Sequence, residues 1–202
     1  MVEIQQSEEV VTLDEGPLRL LFRWDGKRWS HEVWVEGELF ASTLEWDEER
    51  DDPSRVVCPA FQHVNVSKTD TGARALLVGQ WGKHHGSAVF GVGRKGEDVE
   101  IEVDLAVRTR AEIHALACTY TVQRSSGDLI DAGPEGIAWS RAGSAATVRF
   151  EPCGDATGRV GMAEAGRRLT RVQATVDIRP GISTHRLLYR WLCLGGDAAG
   201  QY

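Results

Sequence analysis

The sequence predicts an all-β protein, an antiparallel β-sandwich with little helix. Three observations carry this reading. Apolar residues recur at a period of two along most of the chain, glycine-containing turns separate the alternating runs, and no long apolar stripe occurs at helical spacing. Without a composition break or an internal repeat, one domain over residues 1–202 is expected.

Leu18, Leu20, Phe22 and Trp24 alternate with Arg19, Leu21 and Arg23, which gives a strand with one buried and one wet face. Residues 29–36, 38–43, 56–66, 73–81 and 87–92 read as the next strands. Val99, Ile101, Val103, Leu105 and Val107 alternate with Glu100, Glu102, Asp104 and Ala106, the cleanest case in the chain. Residues 112–123 and 145–150 follow, then Val172, Ala174, Val176 and Ile178 against Gln173, Thr175 and Asp177. The best helical stripe, over 163–169, carries Gly166 in its middle. The last strand, 182–194, is apolar on both faces, with Leu188, Leu192 and Leu194 on one and Leu187, Tyr189, Trp191 and Cys193 on the other. A strand covered on both sides suits a layered sandwich, a ligand groove or a partner chain better than a small barrel.

Hairpin punctuation comes from Asp25-Gly26, Glu36-Gly37, Thr71-Gly72, Lys95-Gly96, Ser126-Gly127-Asp128 and Pro180-Gly181. The stretch 47–53, dense in Asp and Glu, is the expected long loop. Calcium would need alternating donors and a central glycine, which it lacks.

A net charge of -7 repels phosphate backbones, so neither nucleic acid nor an anionic membrane is an expected partner. No basic patch precedes an apolar stretch at the N-terminus, and no run approaches a membrane span. Cys58, Cys118, Cys153 and Cys193 form no Cys-x-x-Cys pair, and free thiols in a cytoplasmic protein are expected. The sequon Asn65-Val66-Ser67 would matter only on a secretory route.

Gly91-Val92-Gly93-Arg94-Lys95-Gly96 matches the dinucleotide fingerprint, but that mechanism needs a helix N-terminus, and a strand follows here. The match reads as a hairpin, and no cofactor is expected. His84 and His85 are neighbours in a strand and point to opposite faces. A metal would need a bend at Gly82 or Gly86 and a third donor such as His63, His31 or Cys58, so no metal is expected. Neither Gly-x-Ser-x-Gly nor His-Glu-x-x-His occurs. Glu100, Glu102 and Asp104 share a strand face, as the wet side of a sheet or the wall of a sugar cleft.

Seven tryptophans stand against five phenylalanines and three tyrosines. Trp24, Trp139 and Trp191 sit in core-like contexts. Trp34 falls on a polar strand face, Trp46 opens the acidic stretch, and Trp81 stands between Gly79-Gln80 and Gly82-Lys83-His84-His85. An indole on a polar surface suits stacking on a sugar or closing an interface.

The stretch from Trp81 through Val122, with its paired histidines and long alternating strands, resembles part of a galactose-mutarotase-like supersandwich. The ending Asp177-Ile178-Arg179-Pro180-Gly181, followed by a long aromatic strand, is similar. The resemblance implies a sugar-related activity, with a histidine acid and a carboxylate base on a concave sheet. It assigns no catalytic role to His63, His84 or His85. The expected function is binding of a saccharide or polar small molecule on a concave face. Trp81, His84 and His85 form the expected rim, joined by Trp34 and His63. The competing expectation is an interaction protein that dimerises through an apolar sheet face.

Overall fold

The computed structural model describes residues 1–44, 52, 54–123, 127–141, 143–154, 158–165, 169–179, 181 and 183–195. Trp46 and all of the acidic stretch except Asp52 lie outside the described residues, as do Pro180, Gly166 and Ser126. The strands, in chain order, are β1 (Glu3–Gln6), β2 (Val10–Glu15), β3 (Leu18–Trp24), β4 (Trp29–Val35), β5 (Glu38–Thr43), β6 (Arg55–Val56), β7 (His63–Thr69), β8 (Gly72–Trp81) and β9 (His84–Lys95). Next come β10 (Asp98–Thr109), β11 (Ala115–Gln123), β12 (Asp128–Gly133), β13 (Gly136–Ser140), β14 (Thr147–Pro152), β15 (Gly158–Ala165), β16 (Leu169–Val176) and β17 (Thr184–Leu194).

They form two sheets. A nine-stranded sheet runs β1-β2-β3-β4-β5-β11-β16-β15, with β6 beside β11, and an eight-stranded sheet runs β12-β13-β14-β17-β10-β9-β8-β7. Pairing is antiparallel except for β6 with β11. No helix occurs among the described residues. The all-β antiparallel sandwich is therefore the fold, and the alternation in β10 sets its facing: Val99 to Val107 point inward and Glu100, Glu102 and Asp104 outward.

Several elements differ from expectation for local reasons. The stretch 56–66 is not one strand; β6 pairs with the nine-stranded sheet, β7 with the other, and residues 57–62 cross between them. β1 and β12 carry little alternation because they are edge strands with few buried positions. Gly72 opens β8 instead of turning; a Cβ there would collide with the Val92 carbonyl. Glu36 at φ 51° and Gly37 at φ 81° make the expected β4–β5 turn.

β17 lies between β14 and β10 in the middle of its sheet; its inner face is apolar, as expected, but its outer face mixes Leu188 and Leu192 with Arg186 and Arg190, so the expectation of two apolar faces is corrected. Its inner side chains pack an aromatic centre in which Trp191 stacks on Phe150 at 4.4 Å and on Trp139 at 6.1 Å. On its outer face Leu192, opposite Glu100 and Arg149, is only 7% exposed. Between the sheets runs a buried polar chain. His31 Nε2 and the Tyr120 hydroxyl are 2.6 Å apart, and the hydroxyls of Tyr120 and Tyr189 are 2.8 Å apart. Each group thereby satisfies another, as burial demands.

Candidate functional site

The outer face of the eight-stranded sheet concentrates polar chemistry. Cross-strand register places Arg74 on β8 opposite Gly91 on β9, then Glu102 on β10, Arg190 on β17 and Glu151 on β14. Gly91 has no side chain, so Arg74 and Glu102 face each other across an open lane two strand spacings wide, about 9–10 Å. The next outward position along β9 is Gly93, which extends the floor. The resulting trench has a volume of about 340 Å³ and is walled by Thr69, Arg74, Val89, Glu100, Glu102 and Asp104.

Two of the three carboxylates in that wall are held by arginines. Arg186 donates to both oxygens of Asp104, at 2.7 and 2.6 Å. Arg190 donates to Glu151 at 2.6 Å and to Glu100 at 3.3 Å, while Arg149 Nε lies 3.4 Å from Glu151. No arginine or lysine pairs Glu102 among the described residues, and Glu102 is exposed. Nearby, burial pushes the Cys153 thiol up to about 11, with the Glu102 carboxylate adding to the effect. Fixed charges thus brace the wall, and one carboxylate is left to accept hydrogen bonds from a ligand.

The glycines of this surface are not equivalent. A Cβ on Gly93 would sit 2.8 Å from the Thr71 carbonyl, so close backbone approach requires glycine there. A Cβ on Gly91 would meet nothing within 4 Å. Gly91 keeps the lane open without any steric demand from the backbone.

The five residues expected to form the rim do not converge. Trp81 is 1% exposed and His84 2%. Both face the core, because Trp81 is in phase with the inward Ala73, Ala75 and Leu77. The indole folds onto Gly86, where a Cβ would lie 2.7 Å from two of its ring atoms. The polar neighbours of Trp81 belong to the turn and not to its own strand face. His63 and His85 are exposed on the trench side of the sheet. Trp34 is on the outer side of the other sheet, half-buried, with its indole N–H donating to Glu32 at 2.8 Å. His84 faces the core and His85 the outside, and no group of three metal-ligating side chains, with or without His31 and Cys58, occurs among the described residues.

A larger concavity of about 600 Å³ lies at one end of the sandwich, with Glu112, His114, Arg179 and His185 in its lining. Positions 180 and 182 beside it are outside the described residues. Arg74, Arg186 and Arg190 carry no motif in the sequence, and Gly91 stands out there only as part of the Gly-x-Gly-x-x-Gly hairpin. Their signal was the outward phase shared with Glu100, Glu102 and Asp104, which becomes a site only once register across strands is known. No helix among the described residues is long and apolar enough to cross a membrane.

No family model matches this chain, and no curated protein matches it in sequence. Among solved structures it is similar to a heparinase III gene product, with a TM-score of 0.58 and 8% identity. The match covers 98% of this chain and 36% of that one, so the chain spans about a third of its structural neighbour. At that identity the likeness shows the fold alone, and it carries nothing specific to galactose mutarotases.

Proposed function

We propose that this protein binds a carbohydrate, or a polar small molecule of similar chemistry, in the trench over Gly91. The observation that carries the reading is the lane between Arg74 and Glu102, kept open by a glycine the backbone does not need. A pyranose ring lying there would offer hydroxyl donors to Glu102 and acceptors to Arg74, with Val89 against its C–H face. His63 and His85, exposed on the same side of the sheet, are proposed to contact a longer ligand at its periphery. The structural neighbour's name, heparinase III, adds support from a polysaccharide-processing protein.

A glycan panel spanning neutral and acidic saccharides tests this with the native protein and two variants, Gly91→Phe and Glu102→Gln. Binding to at least one class, lost in both variants while their thermal melts stay cooperative, is expected. No ligand at millimolar concentration, or binding indifferent to both changes, would overturn it.

One observation favours the second reading, an interaction protein that oligomerises through apolar surface. Leu129 and Ile130 on β12 and Met162 on β15 are 46%, 57% and 45% exposed, and they lie where the edges of the two sheets meet. Sedimentation at increasing concentration tests it; a monomer throughout removes the self-association.

A further inference from the structure

Of the three buried core cysteines, Cys58 and Cys118 lie on neighbouring stretches of backbone. β6 runs parallel to β11 with Arg55 opposite Ala115 and Val56 opposite Leu116. Carried two residues further, that register sets Cys58 opposite Cys118. The strands are still together there, because the Thr119 N–H donates to the Val57 carbonyl at 3.1 Å. Both side chains are buried, at 7% and 3% exposure, on the side facing the other sheet. A strand spacing of about 4.8 Å falls within the Cα separation of roughly 4.4–6.8 Å that a disulfide accepts.

We infer that Cys58 and Cys118 are an oxidisable pair, a disulfide-forming site that fastens the crossover between the two sheets to β11. The step balances with a disulfide oxidant such as oxidised glutathione. One thiolate attacks a glutathione sulfur and releases one reduced glutathione, and the second attacks the mixed disulfide and releases the other. Two protons leave the protein thiols, and two electrons reduce the oxidant. The environment divides the roles. The hydrogen bond with Cys118, and after it burial, push the Cys58 thiol up. Against its own burial, Cys118 is drawn down by Cys58, His31 and Tyr189, which makes Cys118 the natural nucleophile. Cys153 and Cys193, both raised to about 11, make poor competitors.

Fastening these strands constrains the long chain segment between the two cysteines in the unfolded state, so oxidation raises the melting temperature. Unfolding the full chain and refolding it in glutathione buffers, from fully reduced to oxidising, removes burial as a kinetic obstacle. Alkylation and peptide mapping under non-reducing conditions should then show a Cys58–Cys118 linkage with Cys153 and Cys193 alkylated. The oxidised protein should melt several degrees above the reduced one, and Cys58→Ser should abolish the redox dependence. Four alkylated cysteines in the most oxidising buffer, or a linkage that includes Cys153 or Cys193, would overturn the inference, whether or not the serine variant folds.

Discussion

Gly86 and Gly91 lie on the same strand, five residues apart, and serve opposite ends. Gly86 faces inward, and the space its missing side chain leaves is filled by the Trp81 indole. Gly91 faces outward, and no atom of the described residues lies within 4 Å of a Cβ placed there. Both are extended residues of β9, so neither is required for a left-handed backbone. On the proposed function, glycine in a strand has two uses here: to admit one of the protein's own rings, or to keep a floor flat for a molecule from outside.

The sharpest way to break this contrast is on the inward side. Trp81→Ala should cost roughly 3–5 kcal/mol, because it empties a fully buried indole site. Gly86→Val should cost roughly 1–3 kcal/mol by overpacking against the indole. Urea melts measure both, and a Trp81→Ala protein that melts like the native one would remove Trp81 from the core.

A smaller effect is expected further along β9 at Arg94, whose Nε donates to the buried Glu15 carboxylate at 2.6 Å and ties the strand to the β2–β3 hairpin. Burial pushes the Glu15 carboxyl up, but Arg94 and the N-terminal ammonium together hold it below its ordinary value of 4.5. A depressed carboxylate stabilises the fold above the unfolded pKa, and that contribution fades as pH falls through the folded one. Arg94→Gln should therefore lose about 1–3 kcal/mol at neutral pH, where it leaves a buried acceptor short of a donor. Its stability should fall less than the native protein's as pH drops below 4.5. Equal acid limbs for the two proteins would contradict the pairing.

How far the sequence could carry this comparison depends on which interactions are local. Facing is local: the parity of β10 follows from Val99 to Val107, and the Gly-x-Gly-x-x-Gly match is a hairpin turning at Gly96, with φ 69°. Parity would also have placed Trp81, since it continues the inward series Ala73, Ala75, Leu77; its polar neighbours Gln80 and Lys83 obscured that. The trench was not legible, because Arg74, Gly91 and Glu102 meet only through the registers of β8, β9 and β10. The wall was half-legible. Glu100, Glu102 and Asp104 were visible as a row, but the arginines that hold two of them come from β17.

On the outward side the expected stability changes are small. Gly91→Val should stay within about 0.5 kcal/mol of the native protein, as surface substitutions do; a loss as large as that of Gly86→Val would erase the distinction. Glu102→Gln should speed alkylation of Cys153 at a fixed alkaline pH, because it removes a carboxylate that helps keep that thiol protonated. An unchanged rate would mean that the two groups are not neighbours across the trench wall.

The proposed function stands or falls on the lane over Gly91 being a ligand floor. Isothermal titration of a saccharide found by the panel into the native protein and into Gly91→Phe, alongside a melt of each, decides between the two outcomes. Measurable heat in the native protein and none in an equally cooperative Gly91→Phe is the predicted result. The same affinity in both proteins would contradict it.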